Sequence, residues 1–409
     1  MQCGLLGRKL GHSYSPQIHN MLADYAYKLF EVEPEQLADF LQSKNFCGLN
    51  VTIPYKKDVI PYCDALSDRA KMLGAVNTLV CRDGKLIGHN TDYYGFESMV
   101  QRCGVSPAGK KALVLGSGGA SATAVAVLKE MGANVIVVSR NGENNYNNLE
   151  QHADAAFIVN ATPVGMYPET NHSPIELSIF PDLECVLDLI YNPANTKLLQ
   201  DAQARDIANQ NGLWMLVAQA KESAEWFTNK AIPNQRISEI YEQIRTQMEN
   251  IILIGMPGCG KTTVGKLLAE KLGRTFVDAD AIVEERAGTT IPKIFEAQGE
   301  HSFRLQETQV LADLGKRSGL VISTGGGCVT QPVNYQHLHQ NGKIFWLQRR
   351  VDTLPTDGRP ISQCNKLSDL YQQRKPMYES FCDHCVNNDN SPEDTVQQIL
   401  AKLKEGNLL

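Results

Sequence analysis

Residues 251–263 read IILIGMPGCGKTT, a short aliphatic run that enters a glycine-rich loop and ends in Lys-Thr-Thr. The spacing G-x-x-x-x-G-K-T holds from Gly255 to Thr262. A strand that empties into such a loop and then into a helix aims backbone N–H groups at phosphate oxygens. The lysine reaches the terminal phosphates, and the adjacent hydroxyl serves a divalent cation. Gly258, Cys259, Gly260, Thr262 and Thr263 therefore read as nucleotide-contacting residues, Lys261 as the phosphate-activating cation and Thr262 as a Mg2+ ligand. Strand, loop and helix in that order belong to a parallel α/β sheet.

A second glycine loop lies upstream. Residues 113–121 read LVLGSGGAS, again an apolar strand, here entering Gly116, Ser117, Gly118, Gly119 and Ala120 before a helical stretch. A loop of this kind lets the backbone approach a pyrophosphate, whose charge meets the helix N-terminus, although a merely tight turn looks the same. About twenty residues on, where an acidic side chain would hold the ribose of NAD, the next strand candidate ends at Ser139-Arg140; a cation there favours a 2′-phosphate, hence NADP(H). The plain alternative is a surface arginine. Two different phosphate-cradling loops, each opening its own α/β region, imply two chemistries in one polypeptide.

The bulk properties fit that division. The chain has 409 residues, 43% hydrophobic and 21% charged, which is globular composition and too long for one core. Its formal net charge of −6 supplies no basic field for nucleic acid or an anionic membrane. No apolar run reaches the roughly 18 residues a membrane helix requires, and the N-terminus turns basic and polar too early for a signal peptide. Eleven cysteines at irregular spacing fit reduced thiols in a cytoplasm better than a disulfide framework. Cys382 and Cys385 form a C-x-x-C around His384, but no second ligand pair accompanies them for zinc.

Strand-like and helix-like segments alternate along the chain. Strands are expected at Gln2–Leu6, through FCGLNVTI, within GKLIGHNTD, and at 134–139, 156–160 and 185–189. Helical spacing marks 93–103, LWMLVAQAKESAEWF and RISEIYEQIRTQM, the last running to Asn250 without a linker. The asparagine-rich GENNYNNLE reads as a solvated loop. Domains are expected at 1–92 together with 211–248, at 93–210, and at 249–409.

Polar residues cluster at the ends of these elements. GHSYSP sets Ser13 and Ser15 just before a helix start, as caps or as carboxylate holders. NVTIPYK places Asn50, Thr52 and Lys56 at a strand end, and a lysine near Asp92 of GHNTD can exchange a proton with an alcohol or ketone. In the second half, FVDAD puts Asp278 and Asp280 on one side of a strand end, suited to hydrated Mg2+ and to a substrate hydroxyl respectively. Arg304, the glycines Gly325, Gly326 and Gly327, Arg359 and Arg374 follow, and arginine forks suit carboxylates and phosphates. Taken singly, each of these is more often structural.

Taken in order, HSYSPQIHN, NVTIPYK, LGAVNTL, IGHNTD, GSGGAS, NATPVGM, DLIYNP and GLWMLVAQA resemble shikimate dehydrogenase over residues 1–248. GMPGCGKTT, FVDAD, SFR, STGGG, GRP and RKPMY resemble shikimate kinase over 250–409. The first resemblance implies an α/β substrate domain and a Rossmann NADP-binding domain. The second implies a P-loop domain of the nucleoside-monophosphate-kinase type. Implied substrate contacts are Ser13 and Ser15 to a carboxylate, and Asn50, Thr52, Asn77, Tyr191 and Gln219 to ring hydroxyls. Lys56 and Asp92 would be the catalytic pair, with Asn160–Met166, Leu189 and Gly212 against the cofactor. For the kinase, Asp280, Arg304 and Arg374 would bind shikimate, Gly325–Gly327 would pack on its ring, and Arg359 on a lid would approach the phosphates. The pair of resemblances implies 3-dehydroshikimate and shikimate as partners, NADP(H), ATP and Mg2+ as cofactors, and leaves room for a homodimer.

Three features depart from these families. Lys9 stands where proline is frequent. The adenosine-phosphate patch reads Ser139-Arg140-Asn141 with Asn144, one arginine short. Only four residues separate Leu354 from Arg359, without the further arginine that often meets adenine. Rival readings are a quinate dehydrogenase using NAD, a half kept only for binding or regulation, and a fusion that mainly sets stoichiometry.

Overall fold

The computed structural model describes residues 2–11, 13–354 and 367–405. Three sheets carry the molecule, built from β1 (Gln2–Gly7), β2 (Ala26–Glu31), β3 (Gly48–Val51), β4 (Ala65–Leu66), β5 (Thr78–Arg82), β6 (Lys85–His89), β7 (Lys111–Leu115), β8 (Asn134–Val138), β9 (Phe157–Asn160), β10 (Cys185–Asp188), β11 (Ala208–Asn211), β12 (Asn250–Ile254), β13 (Thr275–Asp278), β14 (Leu320–Ser323), β15 (Gly342–Gln348) and β16 (His384–Asn387). They divide between two compact units: residues 1–166, 172–191 and 198–244, and residues 167–171, 192–197 and 245–409.

The first unit holds two sheets. One has the order β2-β1-β3-β5-β6-β4, parallel except where β5 runs against both β3 and β6. The β5–β6 hairpin turns at Asp83-Gly84, both with positive φ, the backbone that a tight two-residue hairpin requires. Helix Leu213–Thr228 returns from far along the chain to cover this sheet. A Cβ on Gly48 would lie 2.1 Å from the Phe227 ring, so only glycine allows that approach. The second sheet, β11-β10-β9-β7-β8, is wholly parallel. Its interior strand β7 shows the signature of a sheet covered on both faces, since Ala112 through Leu115 are all fully buried. The strand ANQN of β11 was not legible because it is a polar edge strand with no β-branched residue.

The second unit has one parallel sheet in the order β13-β14-β12-β15-β16. Ile251–Ile254 are fully buried at its centre. Only Glu249 separates helix Gln235–Met248 from β12, as the absence of a linker predicts. The strand order brings the ends of β12, β13, β14 and β15 together, the crevice where parallel sheets bind ligands. Among the described residues no helix is long and apolar enough to cross a membrane, and all ten described cysteines are free thiols.

Candidate functional site

In the first unit, Asp92 opens helix Asp92–Cys103 and so stands at the positive end of that helix. Lys56 follows β3, and its Nζ donates to Asp92 Oδ2 at 2.6 Å. The two side chains are 29% and 15% exposed, enough for a ligand to reach them. An ammonium has three donors and Asp92 takes one.

Thr91, next to Asp92 in the chain, belongs to a buried hydroxyl–amide network. Asn50 Oδ1 accepts from the Tyr27 hydroxyl at 2.8 Å, while Nδ2 donates to Ser223 at 2.7 Å and Thr78 at 3.3 Å. Asn77 Oδ1 accepts from the Thr91 N–H at 2.7 Å, and its Nδ2 donates to the Thr91 hydroxyl at 3.1 Å. Thr91 also lies 3.0 Å from Ser223 and 3.4 Å from Gln219 Oε1. Asn50, Asn77 and Gln219, singled out in the sequence, thus come together, but Asn50 has both amide hydrogens engaged internally. Tyr27, Thr78, Thr91 and Ser223 were missed. Ser223 lies four residues beyond Gln219 on one helix, so helical spacing was the available signal.

Ser15 opens helix Ser15–Leu22, and its N–H donates to Ser13 Oγ at 3.2 Å. Between them Tyr14 meets Tyr191 edge-to-face, 6.3 Å between ring centres, which sets Tyr191 beside the serine turn. Thr52 follows β3, anchored by its N–H to the Leu6 carbonyl at 2.9 Å.

The second sheet offers an open loop. Ser117, Gly118, Gly119 and Ala120 are exposed, and a Cβ on Gly118 or Gly119 would meet nothing within 4 Å, room for a pyrophosphate to approach. Gly116 has φ +105, and its carbonyl accepts from Ser121 Oγ at 2.7 Å, which holds the turn. Ser139 and exposed Arg140 follow the end of β8, beside the loop strand β7. Leu189 follows β10, and a Cβ on Gly212 would stand 2.1 Å from its carbonyl oxygen. That close approach demands glycine. The donor set fits a phosphorylated dinucleotide: free glycine backbone, a helix N-terminus and one cation.

The second unit holds a cavity of 510 Å³, lined by Gly258, Gly260, Lys261, Thr262, Thr263 and Arg349 and also by Asp280, Arg304, Glu307, the glycines 325–327 and Arg374. Lys261 Nζ donates to the carbonyls of Gly255 at 3.0 Å and Met256 at 3.1 Å. Thr262 Oγ1 donates to Asp278 Oδ2 at 2.9 Å, a hydroxyl and a carboxylate fit for a hard divalent cation. Cys259 is fully buried under the loop, so its thiol is out of reach of solvent oxidants; its carbonyl accepts from Asn388 Nδ2.

Around Arg304 the charges are crowded. Arg304 donates to Glu307 at 2.7 Å and to Glu300 at 3.1 Å. Glu307 Oε1 and Asp280 Oδ1 are buried with no hydrogen-bond partner among the described residues. Burial, then the Glu307 carboxylate, pushes the Asp280 carboxyl up to about 7; burial also raises Glu307, against the pull of Arg304. A Cβ on Gly325 would fall 2.3 Å from Glu307 Oε1, and one on Gly327 2.1 Å from Arg304 Nη2, so the glycine run is what admits these charges. Arg374 Nη1 and the Tyr378 hydroxyl donate to the Gly326 carbonyl. Glu307 was missed, though it sits three residues after Arg304 on a helix. Arg359 lies outside the described residues.

Comparison with known proteins bears on both regions. A shikimate dehydrogenase of Clostridium perfringens (strain 13 / Type A) is 36% identical over 264 residues, covering 59% of this chain and 97% of the relative. The chain belongs to the shikimate dehydrogenase family. The model of that family's substrate-binding domain matches residues 5–79, and the shikimate kinase model matches 257–404. The shikimate dehydrogenase of Oleidesulfovibrio alaskensis is 41% identical over 254 residues, 56% of this chain and 90% of the relative. Among solved structures, a chorismate mutase/shikimate 5-dehydrogenase fusion from Clostridium acetobutylicum matches with TM-score 0.57 and 36% identity, covering 59% of this chain and 96% of that one. The shikimate 5-dehydrogenase of Thermus thermophilus, solved with NADP(H) and shikimate, matches with TM-score 0.55 and 30% identity over 59% of this chain and 99% of that one. The protein is therefore a fusion of an NADP-dependent shikimate dehydrogenase, an oxidoreductase, with a shikimate kinase.

Proposed function

We propose that the two halves act in sequence on one compound: reduction of 3-dehydroshikimate to shikimate with NADPH, then phosphorylation to shikimate 3-phosphate with Mg·ATP, on the route to chorismate and the aromatic amino acids. The observation that carries this reading is the composition of the kinase cavity. The phosphate loop shares it with two buried guanidiniums and with two carboxyl oxygens that have no hydrogen-bond partner among the described residues. Those groups suit a small ring bearing a carboxylate and hydroxyls, which is what a shikimate dehydrogenase releases.

In the reduction, NADPH bound at Gly116–Ala120, Ser139, Arg140, Leu189 and Gly212 would supply hydride to the C3 carbonyl. Lys56 gives its proton to the oxygen as charge develops there, and Asp92 keeps the ammonium aimed. Ser13 and Ser15 hold the carboxylate; Thr52, Asn77, Tyr191 and Gln219 hold hydroxyls, with Asn50 stiffening the wall behind them. Domain limits of 1–92 with 211–248, 93–210, and 249–409 follow from these roles. In the phosphorylation, Mg2+ at Thr262 and Asp278 would neutralise phosphate charge. Asp280 takes the proton of the attacking hydroxyl, Lys261 steadies the transferred phosphoryl group, and Arg304 and Arg374 clamp the carboxylate.

The test supplies the purified chain with 3-dehydroshikimate, NADPH and Mg·ATP, and follows NADPH absorbance beside both products. NADPH loss matched by shikimate 3-phosphate is expected. Reduction that stops at shikimate would refute the kinase assignment, and turnover of quinate with NAD in place of 3-dehydroshikimate would refute the first.

A further inference from the structure

Strand β15 ends at Gln348, and the two arginines that follow find different surroundings. Arg350 is exposed and lies 4.0 Å from the Asp389 carboxylate. Arg349 is half-buried and lines the kinase cavity. Among the described residues four cations line that cavity: Lys261, Arg304, Arg349 and Arg374. Lys261 is held by two loop carbonyls, Arg304 by two glutamates and Arg374 by the Gly326 carbonyl. Among the described residues Arg349 alone of the four makes no hydrogen bond or ion pair. Its Nη1 would lie 4.0 Å from a Cβ on Gly260, the loop glycine with φ +102 that precedes Lys261. The guanidinium thus lies beside the loop whose N–H groups would face phosphate oxygens.

An uncommitted guanidinium held beside such a loop is a second anion contact from a separate strand. Its planar fork can span oxygens of neighbouring phosphates, which a lysine point charge cannot. Resting on the kinase reading, we infer that Arg349 binds the polyphosphate of the nucleoside triphosphate, reaching it from the end of β15. The placement matters because Arg349 directly follows β15, a strand of the parallel sheet. The contact is therefore preformed in the unliganded protein.

Calorimetry on the full chain tests this with ADP, and with adenosine measured by competition against ADP. Arg349→Ala should weaken ADP about tenfold or more, the effect of one charge-assisted hydrogen-bonded contact. Adenosine should bind as before, and the KM for shikimate should stay within about twofold. Arg349→Lys should recover part of the loss, and the gap between wild type and Arg349→Ala should narrow with added salt. Unchanged ADP affinity would overturn the inference. So would equal weakening of ADP and adenosine, which would make the contact one to the base. A wild-type chain that binds ADP in this Arg349-dependent way, yet fails to phosphorylate shikimate, would refute the function proposed above and leave this inference standing.

Discussion

The two catalytic centres handle charge in opposite ways. In the dehydrogenase half, Lys56 and Asp92 already satisfy one another at 2.6 Å. In the kinase half, Asp280 and Glu307 are like charges held close, each with a buried oxygen that nothing among the described residues donates to. The first centre is at rest without its ligand; the second is under electrostatic tension that a bound cation or hydroxyl would relieve. The difference matches the chemistry proposed for each. A proton donor has to be aimed and stay charged until the carbonyl arrives. A general base has to be ionised when the hydroxyl arrives and basic enough to keep the proton it takes, which a raised carboxyl provides.

The largest effects should come from removing each centre's cation. Lys56→Ala is expected to lower NADPH-dependent reduction by about 10²- to 10⁴-fold, with phosphorylation of added shikimate unchanged. Lys261→Ala should do the reverse. Loss of both activities in either folded variant would break the comparison, because it would mean that the centres are not independent.

Asp280→Asn should lower phosphorylation by about 10²-fold or more. Because burial and Glu307 lift this carboxyl to about 7, the wild-type rate without saturating substrate should climb as pH rises through that value. Stability should move the other way. An unfolded aspartate titrates near 4, so between about 4 and 7 the folded unit holds the extra proton, and stability falls as pH rises through that window. Thermal melts of wild type and Asp280→Asn across pH 5 to 8 check this: the slope should flatten in the variant.

A smaller effect is expected at the cofactor loop. Arg140→Ala should raise the KM for NADPH about tenfold, the worth of one charge-assisted contact, and leave that for NADH unmoved. Equal effects on both would remove Arg140 from the 2′-phosphate.

The smallest concerns the buried network to which Thr91, next to Asp92, belongs. Ser223→Ala leaves Asn50 and the Thr78–Thr91 hydroxyls short of a partner. It should cost about 1–3 kcal/mol of stability and raise the KM for 3-dehydroshikimate several-fold, without changing the cofactor KM. A normal KM in a destabilised variant would make Ser223 purely structural.

Much of this was legible in the sequence, and for identifiable reasons. A glycine loop is encoded by consecutive residues, so Gly116–Ala120 and Gly255–Thr263 could be read directly. Buried parallel strands announce themselves as aliphatic runs. Edge strands such as β2 and β11 do not, because one side faces solvent and their residues carry no strong pattern. Asn50 was legible as important but not as internally committed: its partner Ser223 lies 173 positions away. Glu307 was invisible for the same reason. Its pressure on Asp280 exists only once a helix and the end of β13 are brought together.

By itself the sequence determined that there are two phosphate-binding regions, their order along the chain, and the families whose motifs they carry, because those features are local and backbone geometry follows from neighbouring residues. Tertiary structure alone decided which charges are satisfied. It set Lys56 against Asp92, pressed Glu307 toward Asp280, and left Arg349 without a partner among the described residues beside Gly260. Burial and Coulomb interaction depend on distances between side chains, and those distances are set only when separate strands converge at the end of a sheet.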